Sequence, residues 1–359
     1  YRNKGGDRES LMIDKTFDSE QTKELWIYGL DETDEFYVNG DFKSKIKVRL
    51  IGGHDEDEYT INSGQRTVIY DYKSFENTVK KKSKARVVKS DDYEQNLFNK
   101  NRKISSSNTF LPRLGFNPDD GLLFGLQTTN AFKGFQLNPF TYRHKLRAGL
   151  YTSTGGFDLG YEGEFANVIG NYNFVTTIDY TSPKFATNFF GNGNNSENRD
   201  DELGKDYNRV KIRRIEAEIG LRKASAYGSI FEHKLSYQNY RVQRTEGRFI
   251  DEASAELLSN NPDFFDTQNF VSYRSSYHYK SLDDNLNPKR GMDFKIEAGA
   301  TMNVENTDQH FFFLNPYLEF YNPISVDKKW VLRTKVASQL LFDDNYEFYQ
   351  AAILGASNG

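Results

Sequence analysis

The sequence predicts an all-β chain: a small β-rich domain followed by an antiparallel transmembrane β-barrel. Three observations carry that prediction. First, apolar and polar residues alternate through the C-terminal two-thirds. Phe157, Leu159, Tyr161 and Phe165 share one face, with Asp158, Glu162 and Glu164 on the other. Tyr172, Phe174, Ile178 and Tyr180 repeat the pattern opposite Asn173, Thr177 and Asp179, as do Met292, Phe294, Ile296, Ala298 and Ala300 opposite Asp293, Lys295 and Glu297. Side chains alternate across a strand, so each such strand has one apolar and one wet face. Second, many alternating stretches reach the about nine to eleven residues that a tilted strand needs to cross a bilayer. Strands of globular domains average about five or six.

The third observation is the sorting of the connections. Strands are expected near 122–132, 142–152, 156–166, 171–181, 185–191, 207–222, 225–240, 267–281, 289–301, 309–322 and 328–342, about eleven in all. Every second connection is short: 153–155, 182–184, 223–224, 282–288 and 323–327. The long ones, 192–206 and 241–266, fall on the opposite side. Outer-membrane barrels have short periplasmic turns and long outer loops. A soluble meander has no reason to sort its loops by parity.

Composition agrees. Mean hydropathy is -0.76, yet 29 Phe and 23 Tyr stand against 8 Pro. Disordered chains are poor in aromatics, whereas a barrel puts every second residue towards water. The formal charge of -4 gives no reason to expect nucleic acid. With no Cys, disulfides and Cys-ligated zinc or iron–sulfur sites are excluded. No apolar run of about 18 residues exists to form a membrane helix. No signal peptide opens the chain, and Tyr1–Arg8 does not read as an initiator segment. The sequence is therefore expected to be an internal piece of a longer protein.

Three zones are expected. Residues 1–78 form a small β-rich domain, with strands at 25–28, 35–38, 45–51 and 67–70 separated by turn signals at Asn39-Gly40-Asp41, Gly52-Gly53 and Ser63-Gly64. Residues 79–109 read as a basic and polar linker carrying Lys80, Lys81, Lys82, Lys84, Arg86 and Lys89. That cluster is either plainly solvated or docks on anionic lipid heads or lipopolysaccharide phosphates. Residues 110–359 form the barrel, incomplete at its C-terminus.

Chemistry-bearing patterns are sparse. Gly29–Phe36 and Gly52–Tyr59 are two loose copies of one acidic unit. Carboxylates beside tight turns suit Ca²⁺, which makes Asp31, Asp34, Asp55 and Asp57 calcium candidates; solvated acidic turns are the plainer reading. Gly52-Gly53-His54-Asp55 brushes against a metallophosphoesterase metal motif, but with only 5 His in the chain the neighbouring ligands are missing. There is no nucleophile elbow, phosphate loop or HExxH, so no catalytic role and no cofactor other than that calcium is expected. In the barrel Glu162, Glu164, Asp179, Arg213, Glu216, Glu218, Glu232, Lys234, Arg274, Asp293, Lys295 and Glu297 alternate with apolar residues and are expected to face the lumen. His233 and His278 sit within strands as isolated, structural histidines.

Three stretches carry a family resemblance. Leu114-Gly115-Phe116-Asn117-Pro118-Asp119-Asp120-Gly121-Leu122, Leu286-Asn287-Pro288-Lys289-Arg290-Gly291 and Leu354-Gly355-Ala356-Ser357-Asn358-Gly359 together resemble the bacterial surface antigen family of outer-membrane barrels, of BamA/TamA type. In that resemblance Leu354, Gly355, Asn358 and Gly359 begin the family's lumen-loop motif, with Ala356 replacing the usual second Gly. The family barrel has about sixteen strands, so several would lie beyond this sequence. Ile27–Asp31 with Val48–Gly53 resembles the β-rich segment that precedes such barrels in Bacteroidetes-type proteins carrying an upstream metallophosphoesterase domain. The resemblance implies a bacterial outer-membrane location with the N-terminal part periplasmic. It implies a role in protein or lipid assembly, translocation or export, with outer-membrane lipid, lipopolysaccharide, client proteins and accessory subunits as partners. Anchoring an upstream enzyme and passive conduction are the alternatives.

Overall fold

The computed structural model describes residues 11–351 apart from 12, 41–43, 118–119, 136, 138, 185, 192–197, 205, 226 and 344. The chain divides into two compact units, Tyr1–Lys103 and Ile104–Gly359.

The first unit is a parallel β-solenoid. Its strands are β1 (Glu24–Leu30), β2 (Glu35–Val38), β3 (Lys47–Gly53), β4 (Glu58–Ile61), β5 (Thr67–Asp71), β6 (Thr78–Lys81) and β7 (Arg86–Lys89). They form two parallel sheets, ordered β1-β3-β5-β7 and β2-β4-β6. Each coil lays one strand in each sheet, and like residues stack. Ile27, Leu50, Ile69 and Val87 are in register, as are Phe36, Tyr59 and Val79. The core between the sheets is Leu50, Tyr59, Ile61, Ile69 and Ala85, with the Tyr59 ring stacked on Phe36 at 5.0 Å between centroids.

Parallel stacking explains what periodicity alone did not show. A four-residue strand such as β4 has too few residues to display alternation. The segment read as a linker, 79–109, instead contains β6, β7, the short helix α1 (Tyr93–Asn96) and the start of the second unit's first strand. Its lysines are the solvated side of the last coil, which made it look unstructured. Gly52 and Gly53 lie inside β3 rather than in a turn between strands.

The second unit is one large antiparallel sheet. Its strands are β8 (Ser105–Asn117), β9 (Gly121–Lys133), β10 (Tyr142–Tyr151), β11 (Phe157–Ile169), β12 (Tyr172–Thr181), β13 (Ala186–Asn188), β14 (Arg209–Ala224), β15 (Ser229–Gln243), β16 (Thr267–Leu282), β17 (Gly291–Asn303), β18 (His310–Pro323), β19 (Val331–Ala337) and β20 (Leu340–Phe342). The sheet follows chain order from β8 to β19. β13 pairs only with β14 and β20 only with β18, so each prolongs the track of the strand before it. The interruption between β19 and β20 faces Pro316, which has no N–H to donate.

Two sequence readings change here and offset each other. Residues 185–191 do not make a separate strand: β13 continues β12 across a break at Ser182–Lys184 that contains Pro183. A strand precedes the first one expected, because β8 pairs with β9 from Ser105 to Asn117. The path therefore still holds eleven strands, with shifted parity. One end of the sheet carries 134–141, 170–171, 225–228, 283–290 and 324–330, all short. The other carries 118–120, 152–156 and 304–309 together with both long connections, 189–208 and 244–266. The long connections thus share one end, as an outer-membrane barrel requires. They contain the short helices α2 (Asp200–Leu203), α3 (Phe249–Glu252) and α4 (Ser254–Asn260).

Burial in this unit is inverted relative to a soluble protein. Leu114 and Phe116 are 72% and 71% exposed, whereas Glu164 and Glu319 are 5% and 4% exposed. An apolar outer face with buried charge behind it is the arrangement lipid demands. Among the described residues no helix is long and apolar enough to cross a membrane.

Candidate functional site: the inner face and the first edge strand

The sheet curls towards its charged side. Arg113 on β8 donates from Nη1 to Asp158 Oδ2 on β11 at 2.8 Å. Those strands are three places apart, about 14 Å on a flat sheet. The register row between them reads Arg113, Gly125, Gly149, Asp158. Two glycines leave the guanidinium a clear path, and curvature closes the remaining gap.

From there an ion network runs across the inner face. Arg147 pairs with Glu162 at 3.1 Å and with Asp179. Glu164 accepts from Arg143 at 3.0 Å, Arg222 at 3.1 Å and the Asn173 amide at 2.8 Å. Glu218 pairs with Lys234 at 3.4 Å and with Arg274; Lys295 meets Glu297 at 3.0 Å. Glu319 is held by Arg333 together with the hydroxyls of Tyr317 and Tyr321. Buried charge persists only when paired and hydrogen-bonded, and here Glu164, Glu218 and Glu319 each meet two or three donors.

Towards the end bearing the long connections, the inner face turns apolar. Phe189, Val210, Tyr240, Val242, Ile250, Leu257, Phe264 and Phe270 form one buried cluster. The segment after β20 folds back onto it. Phe348 lies 4.4 Å from Phe189 and Tyr349 lies 4.6 Å from Tyr240, centroid to centroid. Glu347 fixes that segment by accepting from Asn261 at 2.7 Å and Gln309 at 2.8 Å. Long loops and the returning segment therefore cap the inner cavity from one end.

Most of the expected lumen charges lie on this face, with two refinements. Arg213 takes the opposite parity and points outward, where it donates to Asn239 at 2.6 Å. His233 is also outward, 2.6 Å from the Tyr273 hydroxyl, while His278 faces inward against Asp293 at 2.7 Å. Arg113 and Asp158 were not among the expected site residues; the signal for them is the Gly125/Gly149 row, which needs the register to be seen. Leu354, Gly355, Asn358 and Gly359 lie outside the described residues.

The four calcium candidates divide into two pairs. Asp31 and Asp55 stay on the outer turn, with His54 3.7 Å from Asp31 and the Glu32 N–H donating to Asp55 at 3.1 Å. Asp34 and Asp57 turn inward and stack, the Asp34 N–H donating to Asp57 Oδ1 at 2.8 Å. Asp57 is fully buried, and its carboxyl is pushed up to about 7, first by burial and then by the nearby Asp71, Asp34 and Asp55. Among the described residues no group of three or more His, Cys, Asp or Glu is arranged to hold a metal ion.

An all-antiparallel sheet with an apolar outer belt, a charged inner face and long loops at one end defines an outer-membrane β-barrel. The model of the Omp85 superfamily domain matches residues 156–359. The chain therefore belongs to the Omp85 superfamily and is an Omp85-type outer-membrane protein. Among solved structures it is similar to BamA from Haemophilus ducreyi lacking POTRA domains 1–3, with a TM-score of 0.50 and 14% identity. That match covers 76% of this chain and 46% of the other, so the chain spans less than half of that relative. No curated protein matches.

Proposed function

We propose that the protein assembles or translocates client proteins or lipids at the outer membrane, with β8 as its working edge. The observation that supports this is the composition of β8. Its first half, Ser105-Ser106-Ser107-Asn108-Thr109, is polar on both faces, so that half has no apolar face to hold it against lipid. An open strand edge templates an incoming strand by backbone pairing. The work is physical rather than catalytic. Its partners in this reading are outer-membrane lipid and lipopolysaccharide, client outer-membrane or secreted proteins, and accessory subunits. The first unit is periplasmic in this reading, because β8 starts at the end of the sheet opposite the long connections.

The test is site-specific photocrosslinking in cells. A photoreactive residue at Ser107 should capture unfolded barrel clients, and one at Thr177 in mid-sheet should not. Absence of client adducts along β8, with outer-membrane composition unchanged on depletion, would overturn the reading. The protein would then be an anchor for an upstream metallophosphoesterase domain, as in the Bacteroidetes-type subgroup, or a passive channel. Phosphatase assays on the full-length protein and conductance in planar bilayers separate those two.

A further inference from the structure

The solenoid segregates its charge. The turns from the first to the second strand of successive coils carry Asp31, Glu32 and Asp34, then Asp55, Glu56 and Asp57. The opposite corner, where each coil returns, is basic. Its groove is lined by Lys23, Lys45, Lys47, Arg66, Lys84 and Arg86, with Glu24 as the one carboxylate among the described lining residues. The register makes this a column. Lys47 stands beside Glu24, Arg66 follows it on the next coil, and Lys84 follows Arg66. Neighbouring parallel strands are about 4.8 Å apart, and like charges opposite one another are destabilising. Such a column gains stability from an anion laid along it.

The Lys47 amine is lowered from the ordinary lysine value by burial, with Arg49, Arg86 and Arg66 adding to it against the pull of Glu24.

We propose that this basic corner of the solenoid binds the phosphate of an anionic lipid headgroup. Charge complementarity selects an oxyanion. The lipid source follows from connectivity: α1 ends at Asn96 and β8 begins at Ser105, so a short link ties the coils to a membrane strand. The proposal therefore commits to a headgroup phosphate as the oxyanion. The inference rests on the periplasmic, membrane-adjacent reading of the first unit given above.

The test uses the full-length protein in nanodiscs of phosphatidylcholine alone, or with one quarter phosphatidylglycerol, and follows lysine acylation by mass spectrometry. Phosphatidylglycerol should slow acylation of Lys45, Lys47 and Lys84 by about fivefold, and about 0.5 M salt should restore it. Lys73, at the acidic corner, should react equally in both. R66Q/R86Q should weaken the protection of the three lysines. Equal acylation in both discs overturns the proposal. Equal protection by inorganic phosphate in phosphatidylcholine discs also overturns it, by assigning the groove to a free anion. Heat-modifiable gel migration reports insertion separately. Inserted protein without differential acylation sinks this inference alone, whereas failure to insert removes the membrane reading and this inference with it.

Discussion

Arg113 and Asp158 meet at 2.8 Å from strands three places apart, across a row in which both intervening residues are glycine. This pair ties β8 to β11, two strands beyond its backbone partner β9.

Gly149→Val should break the pair. A Cβ at Gly149 would meet the Asp158 carboxylate and lie 3.1 Å from the Arg113 guanidinium. Losing a charge-assisted hydrogen bond of this kind costs about 2 kcal/mol. Amide hydrogen exchange in β8 should accelerate by about tenfold or more, while β16 and β17 stay protected. Unchanged exchange in β8 would show that backbone pairing to β9 alone sets its stability.

The solenoid has its own interior ladder. Asp57 Oδ1 accepts the Asp34 N–H, and one coil on Asn77 Oδ1 accepts the Asp57 N–H, both at 2.8 Å. An amide therefore already fills the carboxylate's role at the next rung. Asp57 Oδ2 is buried without a partner. Burial, reinforced by Asp71, Asp34 and Asp55, raises the carboxyl to about 7. The folded state holds this proton more tightly than the unfolded chain. The stabilisation is therefore complete below the unfolded value of 3.8 and is lost as pH rises through about 7. Asp57→Asn should raise solenoid stability at pH 8 by about 2 kcal/mol and flatten its pH dependence. The measurement is urea unfolding followed by Trp26 fluorescence in a Trp330→Phe background. Identical midpoints for both proteins from pH 6 to 8 would contradict it.

How much of this was visible in the sequence depends on period. Alternation over ten or more residues marked β10 to β12 and β14 to β18 within a few residues. β8 escaped because Ser105–Thr109 offers no apolar face to alternate. β13 reads as a separate strand because Pro183 imitates a turn in a strand that only pauses. In the first unit the two acidic copies are legible in the sequence, but their stacking is not. Stacking is a relation between coils of differing length, and four-residue strands carry no period. The inner ion network was legible as alternating charge, whereas its pairings, and the outward turn of Arg213, needed the register.

Gly53→Ala tests the stacking. Gly53 adopts φ 114°, and a Cβ there would strike the Leu30 carbonyl oxygen of the preceding coil, which is backbone and cannot yield. The solenoid should lose about 2 kcal/mol or more. Gly170→Ala, in the tight turn between β11 and β12, has φ 56° and open space around it. It should cost only about 1 kcal/mol. Comparable losses at the two sites, measured as unfolding midpoints, would deny the close approach of the coils.

The orientation of the sheet yields the sharpest contrast. Leu146 lies mid-strand on β10, half exposed on the outer face, in a register row with Tyr161, Ile178 and Ala217. Thr177 lies one parity away on the inner face, paired in register with Glu162 and Glu218. A cation at Leu146 would sit in hydrocarbon, so Leu146→Arg should cost about 2–4 kcal/mol near the bilayer midplane. A cation at Thr177 would sit on the wet face beside two carboxylates that already hold cations, so Thr177→Lys should stay within about 1 kcal/mol of neutral. Urea unfolding in lipid vesicles measures both. The water-soluble alternative predicts the reverse ranking, because there an arginine on the exposed face costs almost nothing while a lysine on the packed face is penalised. A tolerated Leu146→Arg together with a damaging Thr177→Lys would therefore turn the sheet inside out and remove the membrane assignment.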